Sequence, residues 1–145
     1  MKQVEDMKFI FVSEKEKYTH PLTQAYRKIH NDDYIPLHEG ADLIYMHKSD
    51  EIFGAISFTS DEKPFIELAW IWVNPDIRKK GNGSKLMEFF FKLVRNKKKS
   101  VRLYCREKYT GGRALVKKFN FKQIDDDNHF ELKFKDFPRF TEKIE

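Results

Sequence analysis

A single cysteine, Cys105, stands in a chain of 145 residues, so neither an internal disulfide framework nor a thiolate-rich metal site is available. Long apolar runs are missing as well. The longest, Leu68 to Val73, falls far short of the about 20 residues that a membrane-spanning helix needs. Phe9 to Val12 is too short for the apolar region of about 7 residues or more that a secretory leader carries. The histidines, His20, His30, His38, His47 and His129, show no ligand spacing such as His-x-x-x-His, and no metal is expected. Glycine and proline number 6 and 5 and nowhere gather into a linker, and no internal repeat appears. These absences predict one cytoplasmic domain spanning residues 1–145, with no membrane association.

Hydrophobic residues make up 40% of the chain and include 14 phenylalanines, which excludes intrinsic disorder. A chain of this size buries roughly 70% of the surface its unfolded form exposes, enough for a real core. Basic residues number 28 against 23 acidic ones, a net charge of +5. That balance suits an anionic ligand and is too weak to argue for nucleic acid.

Along the chain, Met7 to Val12 reads as a first strand. Pro21, Leu22, Ala25, Tyr26 and Ile29 have helical spacing behind a proline start. Leu43 to His47 and Ile52 to Phe58 read as strands joined by a turn at Lys48-Ser49-Asp50. Phe65 to Val73 is apolar on both alternating faces except at Glu67, which predicts a central strand covered on both sides. Leu86 to Val94 marks a long helix with a wide apolar face, and its cationic end, Arg95 to Lys99, complements the helix dipole. Val101 to Cys105 follows as a strand, then a short helix over Ala114 to Phe119 with Asn120 as a left-handed cap. Phe121 to Ile124 and His129 to Phe134 close the chain as strands around a solvated turn at Asp125 to Asp127. The reading is an α/β (α+β) domain: a mixed, mostly antiparallel sheet of about six to seven strands flanked by about three to four helices. Trp70 and Trp72 are expected in the core.

Chemistry concentrates between Val73 and Ser84. A buried strand ends, a basic loop with two glycines follows, and a helix begins. Such a helix start presents unpaired N–H groups and a partial positive charge, to which Arg78, Lys79 and Lys80 add full charges. A phosphate or pyrophosphate is the expected occupant. The loop is not a Walker sequence, because Ser84 precedes Lys85 where the order must be reversed. Nor is it the dinucleotide fingerprint, whose third glycine would fall at Leu86.

What matches is Val-x-Pro followed by Arg-x-x-Gly-x-Gly. With Val73, Pro75, Arg78, Gly81 and Gly83 in those places, and strands and helices in the same order, the sequence resembles the GNAT superfamily of acetyl-CoA-dependent N-acetyltransferases. The resemblance implies a single GNAT-like domain that uses acetyl-CoA as co-substrate. Backbone groups of Lys79, Lys80, Gly81, Asn82, Gly83 and Ser84, with Arg78, are expected to hold the pyrophosphate. Main-chain groups of Ile71, Trp72 and Val73 are expected to pair with the pantetheine arm as an added strand does. In the family this strand splays from the next one, here Val101 to Cys105, and the gap receives the thioester.

Attack of an amine on a thioester needs a neutral nucleophile, so a base must take a proton. Glu67 is the candidate: it is the one charge in its strand, at the offset where family members similar to histone acetyltransferases carry their glutamate. Alternation places it with Ala69, Ile71 and Val73, in desolvated surroundings, unless a bulge shifts the parity. The family's thiolate-protonating tyrosine falls at Val116 here, which leaves Tyr104, Cys105 or Tyr109 as substitutes by position. The expected activity is acetyl transfer to a primary amine on a small molecule or protein. The rival reading is a catalytically weak CoA-binding module acting as sensor or protein partner. RNA binding through Lys97 to Lys99 is a third. Asp32, Asp33, Glu39 and Asp42 lie where the family lines its acceptor side. A monomer or homodimer is expected.

Overall fold

The structure is a computed structural model that describes residues 7–29, 40–59, 63–78 and 80–139. Its strands are β1 (Lys8–Val12), β2 (Asp42–Lys48), β3 (Glu51–Thr59), β4 (Phe65–Val73), β5 (Ser100–Tyr104), β6 (Lys122–Gln123) and β7 (His129–Leu132). Helices α1 (Pro21–Ile29), α2 (Asn82–Val94) and α3 (Thr110–Lys118) connect them, with short 3-10 turns at Pro75–Ile77, Arg95–Lys97 and Phe134–Asp136. All strands join one sheet in the order β1-β2-β3-β4-β5-β7-β6. Only β4 and β5 run parallel among these pairs, because α2 carries the chain back across the sheet between them.

Two apolar layers hold the sheet. One face packs on α2 and α3 through Phe58, Leu86, Phe90, Phe91, Val101, Phe119 and Phe130. The other packs on α1 through Leu22, Tyr26, Leu43, Tyr45 and Ala55, with Trp70 and Trp72 against them. Tyr26 stacks on Trp70 at 5.7 Å and meets Trp72 edge-on at 5.5 Å. Lys17 is buried at the start of this layer, and its ammonium donates to the Ala41 carbonyl at 2.9 Å.

Helix α3 ends as expected. Asn120 takes φ 65°. Its N–H bonds the Lys117 carbonyl at 3.1 Å, and that of Phe121 bonds the Val116 carbonyl at 3.0 Å. This is a Schellman cap, with buried Phe121 as its apolar contact. Asn120→Ala is expected to cost about 1 kcal/mol, since alanine tolerates left-handed backbone poorly, whereas Asn120→Gly is expected to cost nothing. Urea unfolding of the two variants checks this.

The start of α3 differs from expectation. The helix begins at Thr110, not Ala114, and takes in Gly111 and Gly112. A Cβ on Gly112 would lie 3.1 Å from the Cys105 sulfur, so a small residue is what lets this turn sit on the end of β5. The two last strands are also shorter than expected. Phe121 leaves the sheet for the core, and Phe134 opens a 3-10 turn.

Candidate functional site

Strand β4 has the limits read from the sequence, but its cover does not. Ile66 and Leu68 are buried, whereas every residue from Ala69 to Val73 is only half-buried. The cause lies in the ladder. β4 pairs with β5 from Phe65↔Ser100 to Leu68↔Leu103 and no further. Beyond Leu68 the strands part, and β5 continues beside β7 alone, with Tyr104 opposite His129. Among the described residues β5 therefore does not cover the edge of Ala69–Val73, which includes the expected Ile71, Trp72 and Val73.

The loop that follows lies at the open end of this gap. Asn74 caps the turn at Pro75–Ile77 by accepting from the Asp76 N–H at 2.9 Å. The Arg78 side chain returns to β4, its Nε donating to the Val73 carbonyl at 2.7 Å. That bond uses the Nε donor alone, and the residue is otherwise exposed. Asn82 is buried and donates to the Ile77 carbonyl at 2.9 Å, which fixes the start of α2 against the turn.

Gly81 precedes α2 with φ 82° and supplies no side-chain cap, so the first N–H groups of the helix stay available to an anion. A Cβ on Gly81 would meet nothing within 4 Å; its glycine character serves the left-handed turn and open access. Gly83 serves packing. A Cβ there would lie 3.2 Å from Leu115 and 3.8 Å from Val73, so the residue lets α2 close on α3.

Lys118, which the sequence reading did not single out, donates to the Ser84 hydroxyl at 2.7 Å. It adds α3's charge to the start of α2, where Lys80 and Lys85 also stand exposed. In the sequence Lys118 looks like an ordinary cation in the last turn of a helix, and only the packing of α3 beside α2 gives it this place. Lys79 lies outside the described residues, as do Asp32, Asp33 and Glu39. Asp42 accepts from the Glu14 N–H at 2.8 Å, a structural bond at the start of β2.

Glu67 differs from expectation in both face and surroundings. Ser57 pairs with Trp70 and Phe58 with Leu68, so Ala69 is an inserted bulge residue. Beyond it Glu67 pairs with Thr59. The bulge shifts the parity and places Glu67 on the face of Trp70 and Trp72, away from Ile71 and Val73. The expected desolvation is absent: its side chain is 49% exposed and bonded to the Lys63 ammonium at 2.6 Å. On the same face of β3, the Ser57 and Thr59 hydroxyls are buried and lack hydrogen-bond partners.

The candidate proton donors lie at the end of β5 and the start of α3, beyond the last pair of β4 with β5. Cys105 sits just past β5, against the first turn of α3, and burial pushes its thiol up while the charge of Arg113 opposes the shift. Arg113 fixes this corner by donating to the Cys105 carbonyl at 2.9 Å and to the Asn128 side chain. Tyr109 is exposed at the N-cap position of α3. Val116 is buried in the core and provides no acid. Tyr45 is pushed up to about 12 by burial, against the effect of its bond to Thr23; Tyr26 is raised by burial and then by Tyr45. Both phenols therefore stay protonated as packing groups.

Among the described residues no group of three or more His, Cys, Asp or Glu side chains is placed to hold a metal ion. None of their helices is long and apolar enough to cross a membrane.

The structure of Ard1 from Thermoplasma volcanium superposes with a TM-score of 0.62 at 19% identity, over 87% of this chain and 95% of that one. A GNAT family acetyltransferase from Elizabethkingia anophelis with acetyl-CoA bound gives 0.60 at 18% identity, over 83% and 79%. An AtaT mutant toxin bound to the C-terminus of the antitoxin AtaR gives 0.61 at 11% identity, over 90% and 93%. These likenesses are of fold. No curated protein sequence matches the chain. The sequence profile of the Acetyltransferase (GNAT) family matches residues 6–121, most of the sheet and all three helices, and the chain belongs to that family.

Proposed function

We infer that the protein transfers the acetyl group of acetyl-CoA to a primary amine by direct attack. The parting of β4 from β5 beyond Leu68 and Leu103 carries this reading. An extended arm gains main-chain partners along the edge of Ile71 to Val73 that β5 does not cover, as in strand addition. Its phosphates then reach the start of α2, where Arg78, Lys79, Lys80 and the N–H groups from Gly81 to Ser84 follow one another in the chain. The residues fit the group in length, direction and charge.

The acceptor side is the α1 face, where Glu67 and the unpartnered hydroxyls of Ser57 and Thr59 lie. The sequence names Glu67 as base. As an exposed carboxylate bonded to Lys63, it is better suited to attracting a cationic amine than to removing its proton in a dry site. A dedicated acid from Cys105 or Tyr109 is not required, because a CoA thiolate leaves readily.

Titration of the protein with acetyl-CoA and with CoA by calorimetry tests the reading. Micromolar binding of both, with thiol release on adding primary amines, is the expected result. No heat at millimolar cofactor would end it.

A second reading has one observation in its favour. Val116 is buried where the family's acid tyrosine falls, which suits a catalytically weak CoA-binding module acting through a partner. The antitoxin-bound relative has such a partner. Cofactor binding without thiol release, for any amine, would favour this reading.

A further inference from the structure

Helix α1 packs on β2, β3 and the tryptophans of β4, and its apolar layer contains no residue of β5, β6 or β7. On that side of the sheet β5 and β7 present polar pairs, while Val101, Leu103, Phe130 and Leu132 turn into the opposite layer. Arg102 bonds Glu131 at 2.8 Å. One step nearer the gap, the Tyr104 and His129 rings pack at 5.1 Å. Tyr104 is the first β5 residue beyond the last pair with β4, so this ring forms a rim of the gap on the acceptor side.

Behind it, His129 Nδ1 and Asp125 Oδ2 lie 2.8 Å apart. The other Asp125 oxygen accepts the N–H of Asp127 at 2.8 Å and that of His129 at 3.3 Å. Those bonds, the Asp127 N–H first, hold the Asp125 carboxyl below its usual range. A carboxylate can only accept, so it fixes the imidazole proton on Nδ1 and leaves Nε2 as the basic nitrogen. The sequence shows only a solvated acidic turn and a histidine without metal spacing.

We propose that His129, oriented by Asp125, accepts the proton of the acceptor amine at the rim formed by Tyr104. The proposal rests on the acetyl-transfer reading above and names the base within it. Where β4 and β5 still pair, β7 lies two strand spacings, about 10 Å, from β4; the gap widens toward Tyr104 and His129, and the proton passes to Nε2 from an amine lying over Tyr104, directly or through one water. The neutral nitrogen then bonds to the carbonyl carbon and the carbon–sulfur bond breaks. Its remaining ammonium proton passes to the departing sulfur, and His129 returns the first proton to solvent. The net change is ammonium plus thioester to amide, thiol and one released proton. Glu67, on the same face, draws in the cation.

Among the described residues, the charged groups around this corner include Asp125 and Asp127 from the turn, Arg102 and Arg106 from the β5 side, Glu131 along β7 and Lys122, opposite Glu131, on β6. Arg106 donates to the Tyr104 hydroxyl at 3.4 Å and also feels Asp127.

The test follows thiol release from acetyl-CoA with n-butylamine as a minimal amine across pH, beside calorimetric acetyl-CoA binding and the imidazole NMR titration of the full chain. His129→Gln is expected to lower kcat about 100-fold and to remove its acid limb, with acetyl-CoA affinity kept as evidence of folding. Asp125→Asn is expected to lower kcat less, with the KM for amine and the acetyl-CoA affinity kept, and to let the imidazole proton redistribute between Nδ1 and Nε2, which the ring 15N shifts read. Glu67→Gln should raise the KM for amine, and Glu131→Gln should change neither constant. Loss of kcat in Glu67→Gln with His129→Gln unaffected overturns the proposal, as does a wild type that binds acetyl-CoA yet releases no thiol. A wild type that fails to bind acetyl-CoA overturns the acetyl-transfer reading itself.

Discussion

Phe91→Ala is expected to lose about 3–5 kcal/mol of stability, a large share of the about 5–15 kcal/mol that holds a domain folded. Phe91 is fully buried on α2. Its ring lies 5.5 Å from Phe90, 5.5 Å from Phe119, 6.2 Å from Phe121 and 5.0 Å from Phe137. Those neighbours come from α2, the end of α3, the segment after α3 and the C-terminal segment. No single one of these elements can move inward to fill the void without leaving its other partners. That resistance to collapse places a large-to-small change at the costly end of its range. Phe91→Leu keeps most of the volume and should cost less than about 1.5 kcal/mol. Urea unfolding checks both: the midpoint falls far for alanine and little for leucine, with the slope unchanged. Equal losses in the two variants would show that ring geometry, not volume, carries the energy.

The elements most legible in the sequence are those whose pattern is set by their own residues. β4 is a nine-residue strand with one charge, and its limits follow from that run alone. α1 starts at Pro21 and α2 follows the left-handed Gly81, as their local chemistry dictates. The errors arise where distant chain decides. Gly111 and Gly112 argue against a helix by propensity, yet Cys105 requires a small residue at 112, and α3 starts early. The bulge at Ala69 depends on β3, so the face of Glu67 was open until the register was known. Lys17 reads as one more surface cation and is buried against the Ala41 carbonyl. The glycine-containing basic loop before α2 was legible because its glycines and cations are contiguous. Lys118, Asp125 and His129 were not, because α3 and the β6–β7 turn bring them into place from far along the chain.

Arg78→Glu is expected to weaken acetyl-CoA binding by about 100-fold or more, since a hydrogen bond to a charged group contributes about 1.5–3 kcal/mol and reversing the charge adds repulsion. Arg78 has two tasks, and the variants must separate them. Its Nε ties the loop to the Val73 carbonyl at 2.7 Å, while the rest of its exposed guanidinium keeps donors for a phosphate. Arg78→Gln keeps a donor for Val73 without the charge and should lose about 10-fold. Arg78→Lys keeps the charge but not the forked geometry, and should fall between wild type and glutamine. If charge toward phosphate is the dominant task, the losses order as Glu, Gln, Lys and shrink as salt is raised. If the Val73 tie dominates, Gln stays near wild type while Glu, which cannot donate, falls; salt then has no effect, and the Glu variant's melting temperature drops even without cofactor. Acetylpantetheine, which carries no phosphate, supplies the control: its weak binding along β4 should be the same in wild type and Arg78→Glu when the loop serves the phosphates. A loss there would mean that Arg78 holds the end of β4 in the shape that keeps the gap open.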